Sequence, residues 1–215
     1  MKARKIVIAA LLGATLLTAG ACRGRKELEN GGVYTRRSVC PQVAIPAATG
    51  DVTLFDPSNR SDSRAIDVAA TMTNVRATCS EDTDAIISTA DFDIVATRRD
   101  AGTARTVVLP FFDVAMQAGS QVIAKRIGQV AVNFPAGSQR GAGRGQATIR
   151  VNRSATVLPD NVRTELTRPR KSGDADAAID PLSDPAIRAA VARATFEHLV
   201  GFQLTQAQLQ YNATR

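Results

Sequence analysis

The sequence predicts an all-β domain, an immunoglobulin-like antiparallel β-sandwich of about seven strands closed by one or two short C-terminal helices. Three observations predict it. From Cys40 onward, apolar and polar residues alternate with period two over short runs, the pattern of strands with one face on a core. Clusters of Gly, Pro, Asp and Ser separate those runs. Helical spacing appears only near the C-terminus, after a long irregular connection.

The first strand is read at residues 52–55, with an extended piece at 43–45 ahead of it. The second, 65–78, sets Ile66, Val68, Ala70 and Met72 on one face and Asp67, Thr71 and Thr73 on the other. In the third, 85–97, Phe92, Ile94 and Ala96 oppose Asp91, Asp93 and Thr97. The fourth is TVVLPFF, whose Pro110 cannot donate to a ladder and so favours an edge strand or a bulge. The fifth, 121–134, carries Gly128 in mid-run, which points to a bulge or a close backbone approach. GSQRGAGRGQ, residues 137–146, reads as a flexible hairpin; it runs from strand to strand, so no helix N-terminus awaits a phosphate. The sixth strand is 146–157, and the connection 158–183 that follows is too long for a tight turn.

SDPAIRAAVARA then places Ser or Asp at an N-cap and Pro185 at the first helical position, with Ile187, Ala190, Val191 and Ala194 at helical spacing. Phe196, His198, Val200, Phe202 and Leu204 fall on one face of a last strand. Thr205-x-x-Gln208 forms a capping box for a terminal helix carrying Leu209 and Tyr211.

The N-terminus reads as an export signal. Lys2, Arg4 and Lys5 precede an uncharged apolar run over 6–17, well under the roughly 20 residues a spanning helix needs. Ala19-Gly20-Ala21-Cys22 looks like the lipobox of bacterial lipoproteins, although Ala19 stands where Leu is typical; Ala19-x-Ala21 also fits ordinary signal peptidase. Cysteine arithmetic favours lipidation. Of the three cysteines, acylation of Cys22 leaves Cys40 and Cys79 as one disulfide, with no leftover thiol in an exported chain. The expected organisation is a signal peptide over 1–21, a lipidated cysteine and flexible tether over 22–38, and a single domain over 39–215.

Removal of residues 1–21 leaves 194 residues with 24 basic and 20 acidic side chains, a formal charge of +4 against the +7 of the whole chain. The high pI therefore makes a poor case for nucleic acid, which is not expected as a partner. Three lysines remain (Lys26, Lys125, Lys171), so arginine supplies nearly all the cations; this suits bidentate contact with carboxylate, and genomic GC bias produces the same composition. Absence of Trp and few aromatics argue against a platform for stacking sugars or bases.

The tail ATFEHLVGFQLTQAQLQYNATR, with CPQVAI near the start of the domain, resembles a group of uncharacterised lipoproteins of Gram-negative bacteria. The resemblance implies export and transfers no functional residue. Arg23, after the cysteine, is not the Asp that retains such proteins at the inner membrane, so it also implies an outer-membrane lipoprotein facing the periplasm; a soluble periplasmic protein is the alternative.

Candidate chemistry is sparse. A hydrolytic triad needs a base, and His198, the one histidine, shares its strand face with Phe196, Val200 and Phe202; a satisfied core histidine is the expected reading. One histidine and paired cysteines leave no zinc set, and no Ser-x-x-Lys motif is present. The acids of EDTD (81–84) and DADAAIDPLSD (174–184) do not match calcium-loop spacing. No cofactor, metal or catalytic residue is therefore assigned.

Alternating strand direction sorts the loops into two ends. One collects Arg60, Arg64, Arg98, Arg99, Arg105, Arg140 and Arg144 against Asp62 and Asp100, a net +5. The other, where Cys40 and Cys79 lie and the tether leaves, carries a net −5. Arg98, Arg99, Arg105, Arg140 and Arg144 are the candidate binding residues for an acidic envelope protein or glycan. The sequence thus leads to a non-enzymatic, lipid-anchored binding or scaffolding protein of the cell envelope. A periplasmic hydrolase with an unidentified base and a subunit of an envelope assembly are the alternatives.

Overall fold

A computed structural model describes residues 38–171 and 173–214. The export signal, Cys22 and the tether up to residue 37 lie outside the described residues. Among those described, the chain is mostly β: β1 (Gln42–Ala44), β2 (Asp51–Phe55), β3 (Ile66–Glu81), β4 (Ala85–Arg98), β5 (Arg105–Gln117), β6 (Gln121–Phe134), β7 (Arg140–Asn152), α1 (Asp160–Thr167), α2 (Pro185–Arg193), β8 (Phe196–Phe202) and α3 (Gln206–Thr214).

The eight strands form one sheet in the order β1-β8-β5-β6-β7-β4-β3-β2. The expected pair of separate facing sheets is replaced by a single sheet curled into a half-barrel. Its hinge is the β6–β7 hairpin, whose strands share a single register pair, Asn133 with Ala142. Beyond that pair they part, and the β5–β8 side folds over the β3–β4 side. Phe92 of β4 meets Phe111 of β5 edge to face, with centroids 5.1 Å apart, and Val68, Ile94, Leu109, Val132, Phe134, Val200 and Phe202 fill the core around them.

Alternating glycines make the fold-over sterically feasible. A Cβ at Gly141 would sit 2.7 Å from the Phe134 ring, at Gly143 2.4 Å from the carbonyl oxygen of Ala131, and at Gly145 2.4 Å from the Phe92 ring. The segment expected as a long flexible hairpin is therefore mostly strand; its turn covers only 135–139, and β7 starts at Arg140, six residues before the expected boundary. Gly128 serves the same purpose in β6, where the Phe111 ring lies 2.4 Å from where its Cβ would be. The β5–β6 register stays continuous there and shifts at Ala115/Met116 instead, so Gly128 marks a ring contact and no bulge.

Pro110 does not put β5 at an edge: the strand pairs with β6 on one side and β8 on the other. The carbonyl of Pro110 accepts from Gln203 N at 2.9 Å, and N and C=O of one strand residue face the same way. Its missing donor thus faces Gln203, the residue just past the end of β8, so the pairing within β8 is kept.

The parallel pair β1–β8 starts the sheet and β2 ends it, yet β1 and β2 are consecutive in the chain. Residues 45–50 span the open side of the half-barrel: Thr49 O accepts from Phe202 N and Gly50 O from Met72 N, both at 2.8 Å. α3 lies over this closure. Its capping box forms as expected, with Thr205 N donating to Gln208 Oε1 (2.9 Å) and Gln208 N to Thr205 Oγ1 (3.3 Å). Asn212 Nδ2 donates to the carbonyls of Ala48 and Asp51, and Tyr211 packs edge-on against Phe55. α2 starts at the expected Asp184 cap, whose carboxylate accepts from Ala186 N at 2.7 Å. α1 lies inside the stretch read as irregular, held by buried Val162.

Cys40 and Cys79 are disulfide-bonded, as expected. The loop ends also sort as expected. Gly137 N donates to Gly102 O and Arg99 N to Asp67 O at one end, and Arg153 N to Asp84 O and Ala118 N to Thr195 O at the other.

Candidate functional site

Two polar residues at core parity converge on His198. Ser88 of β4 follows buried Ile86 by two residues, and Asp113 of β5 follows buried Phe111 by two, so each strand turns a polar group inward. Ser88 Oγ lies 3.0 Å from His198 Nδ1, and Asp113 Oδ1 lies 3.1 Å from Nε2. In the neutral imidazole, Nε2–H donates to the carboxylate and Nδ1 accepts from the serine hydroxyl. This is the hydrogen-bond order of a nucleophilic relay with the two ring nitrogens exchanged. Ser88 is 1% exposed, His198 0% and Asp113 6%, and the groove beside α3 and the one beside α2 are lined by other residues. A substrate has no route to the hydroxyl in this structure.

What the network does here is hold the fold. Where β6 leaves β7, Thr148 N–H of β7 turns to Asp113 Oδ2 at 3.2 Å. Arg126 of β6 reaches the same oxygen with Nη2 at 2.9 Å. One carboxylate therefore accepts from β6, β7 and β8, replacing the ladder that the fold-over interrupts. His198 is a satisfied core histidine.

The candidate arginines are dispersed. Arg98 is 7% exposed; its guanidinium donates to the carbonyls of Ser138, Thr103, Gly102 and Pro135 at 2.8–3.1 Å and lies 5.4 Å from the Phe134 ring centroid. It clamps two loops together. Arg105 binds Asp67 with both terminal nitrogens, at 2.8 and 2.6 Å, and this pair holds the Asp67 carboxyl below its ordinary pKa. Arg99 is bonded to Arg64 O and Asp100. Arg144 lies in the middle of β7, opposite Asp93, away from the end where loop sorting placed it. Of the five, Arg99, Arg105 and Arg144 each meet a carboxylate and Arg98 is buried on carbonyls, which leaves Arg140 as the one exposed candidate without a carboxylate in ion-pair reach among the described residues, so these residues form no shared open cation cluster.

Acids of the 81–84 and 174–184 segments serve local structure. Asp174, Asp180 and Asp184 accept from backbone N–H groups of nearby turns, while Glu81, Asp82 and Asp176 pair with Arg153, Arg150 and Arg168.

Asp93 is the most strongly shifted carboxyl. Asn74 Nδ2 donates to it at 2.6 Å, Arg76 Nη1 at 3.2 Å and Arg144 Nε at 3.0 Å, and these hydrogen bonds lower its pKa to about 2. The folded value is below the unfolded value of about 3.9, so its contribution to stability is present above that pH and lost as pH falls toward 2. Asp93→Asn is expected to make the melting temperature fall less steeply between those two pH values. An unchanged acid limb in thermal melts would contradict this.

An open groove of about 890 Å³ runs between the β2–β3 loop and α3. Its charged lining, Arg60 and Arg105 with Asp56 and Asp67, is balanced.

The least satisfied surface is β6. Past its one pair with β7 it has β5 alone as a strand neighbour among the described residues, and 121–127 are exposed on both faces. Val122, Ile123 and Ile127 are 56%, 50% and 53% exposed. Because Pro110 O faces β8, the odd-numbered residues of β5 face β6. The register Phe111–Gly128 and Asp113–Arg126 then aims the N–H and C=O groups of Lys125, Ile127 and Gln129 away from β5, on the near side of the register shift that skips Ile123. Ala131 fits this parity, with its carbonyl turned outward onto Gly143. Sequence reasoning placed β6 correctly and missed its open edge, because neighbours are set by the fold-over and not by the run itself. No protein-family model, curated protein or solved structure matches this chain.

Proposed function

We propose that this is an exported, lipid-tethered protein of the outer membrane, facing the periplasm, that binds or scaffolds other envelope components by strand addition at β6. The open β6 edge carries the proposal: a row of backbone groups with no strand partner among the described residues, flanked by exposed Val122, Ile123 and Ile127, is a template for an added strand. Supporting the address are the cationic and apolar N-terminus, the Ala19-Gly20-Ala21-Cys22 pattern, and a disulfide that suits an oxidising compartment. Permanent occupancy of the edge would make the protein a subunit of an envelope assembly. A hydrolytic role would require Ser88 to reach solvent.

The test uses protein recovered from native membranes with a photo-crosslinking residue at Gln121 or, as control, at Arg64 on the opposite end. The expected result is an intact mass for a chain starting at Cys22 with acyl groups, and discrete adducts from position 121 that Ile127→Pro abolishes. An unacylated soluble chain would overturn the tether. Adducts equal from both positions, or unaffected by Ile127→Pro, would overturn the edge.

A further inference from the structure

Resting on that reading of the edge, we infer that the occupant of β6 is an extended acidic segment of another protein, with carboxylates alternating with β-branched apolar residues. Between Asp113 and Asp160 the chain carries no acidic residue and six cations. Four of these are neutralised from outside the stretch: Arg126 by Asp113, Arg144 by Asp93, Arg150 by Asp82 and Arg153 by Glu81. Lys125 is not. Its ammonium lies 5.5 Å from the Phe112 ring centroid, it has no carboxylate in ion-pair reach among the described residues, and it shares one face of the open edge with exposed Ile127, two residues on in unbroken register.

A strand laid beside β6 therefore meets a cation followed on the same face by an exposed β-branched side chain, Ile127. The complementary row is a carboxylate across from Lys125 and Val, Ile or Thr across from Ile127. The outward N–H and C=O groups call for a peptide backbone, which an anionic glycan lacks. A second copy is disfavoured, since antiparallel self-pairing centred on Lys125 sets that cation against its own copy. The chain's own segment 23–37 is disfavoured as well, with five cations against two acids.

The probe is a short fluorescent peptide alternating valine and glutamate, compared with valine–glutamine and valine–lysine peptides by anisotropy against the full mature chain. The valine–glutamate peptide is expected to bind, to weaken about tenfold or more in Lys125→Glu, and to weaken in high salt. Lys125→Glu should in turn prefer the valine–lysine peptide. Ile127→Pro, whose lost N–H faces away from β5, should retain the circular dichroism of the native fold and lose binding. Equal binding of all three peptides, lost in Ile127→Pro, would overturn the acidic occupant and leave edge docking standing. Binding that survives Ile127→Pro, or no binding by any peptide, would overturn both.

Discussion

Asp113→Ala is expected to destabilise the fold by about 3 to 5 kcal/mol, the range for stripping one partner from a buried charged network. The carboxylate is 6% exposed and accepts from His198 Nε2, Thr148 N and Arg126 Nη2. Alanine leaves the first two donors without this acceptor, His198 Nε2 in a fully buried ring. The loss falls where the sheet is weakest in backbone bonds, the parting of β6 from β7. Arg126→Ala gives the contrast. That side chain is 65% exposed, so its removal is expected to cost at most about 1 kcal/mol. Urea unfolding of both variants decides the matter. If Asp113→Ala loses no more than Arg126→Ala, the carboxylate is not what joins the two halves of the half-barrel.

Loss of the disulfide is the second large effect. Cys40 and Cys79 close a loop with a sequence separation of 39, for which chain entropy gives about 3 to 4 kcal/mol as an upper value. Every residue of β1 and β2, and most of β3, lies within that loop, together with the 45–50 closure. Reduction should therefore weaken the open side of the half-barrel before the β4–β7 pairing. Cys79→Ser, or the wild type in reductant, is expected to shift the urea midpoint down by a matching amount. Hydrogen exchange should quicken first at Phe202 and Met72, whose amides bond to the bridging segment. Uniform acceleration across β4 and β7 as well would show that the loop is not a separate stability unit.

Much of the strand content is legible in the sequence because period-two alternation responds to burial of one face. β4 and β6 start where the alternation starts, and the caps of α2 and α3 follow from residues adjacent to the helices. What the sequence hides depends on contacts distant along the chain. The glycines of β7 look like a loop until Phe134, Phe92 and the Ala131 carbonyl are laid against them. Pro110 looks like an edge residue until β8 is seen to end beside it. The arginines look like a patch because loop sorting fixes an end of the domain but not which carbonyl or carboxylate each guanidinium meets. Ser88 and Asp113 carry a usable signal, since polar side chains at core parity on two strands mark a buried polar network from the residue pattern alone.

The position of the disulfide also defines how the domain bears load. A pull applied ahead of Ser38 reaches Cys40 almost at once and crosses a covalent bond into β3, bypassing residues 41–78. The short β1–β8 pairing, only three residues long, is spared from being peeled. Tension enters instead through one of the longest hydrogen-bonded registers in the molecule, β3 on β4, and a partner held at β6 would be tugged through β7 and the Asp113 junction. With the bond intact the chain ahead of β3 cannot pay out under force; with it reduced, about forty residues of slack would unspool before β3 took any strain.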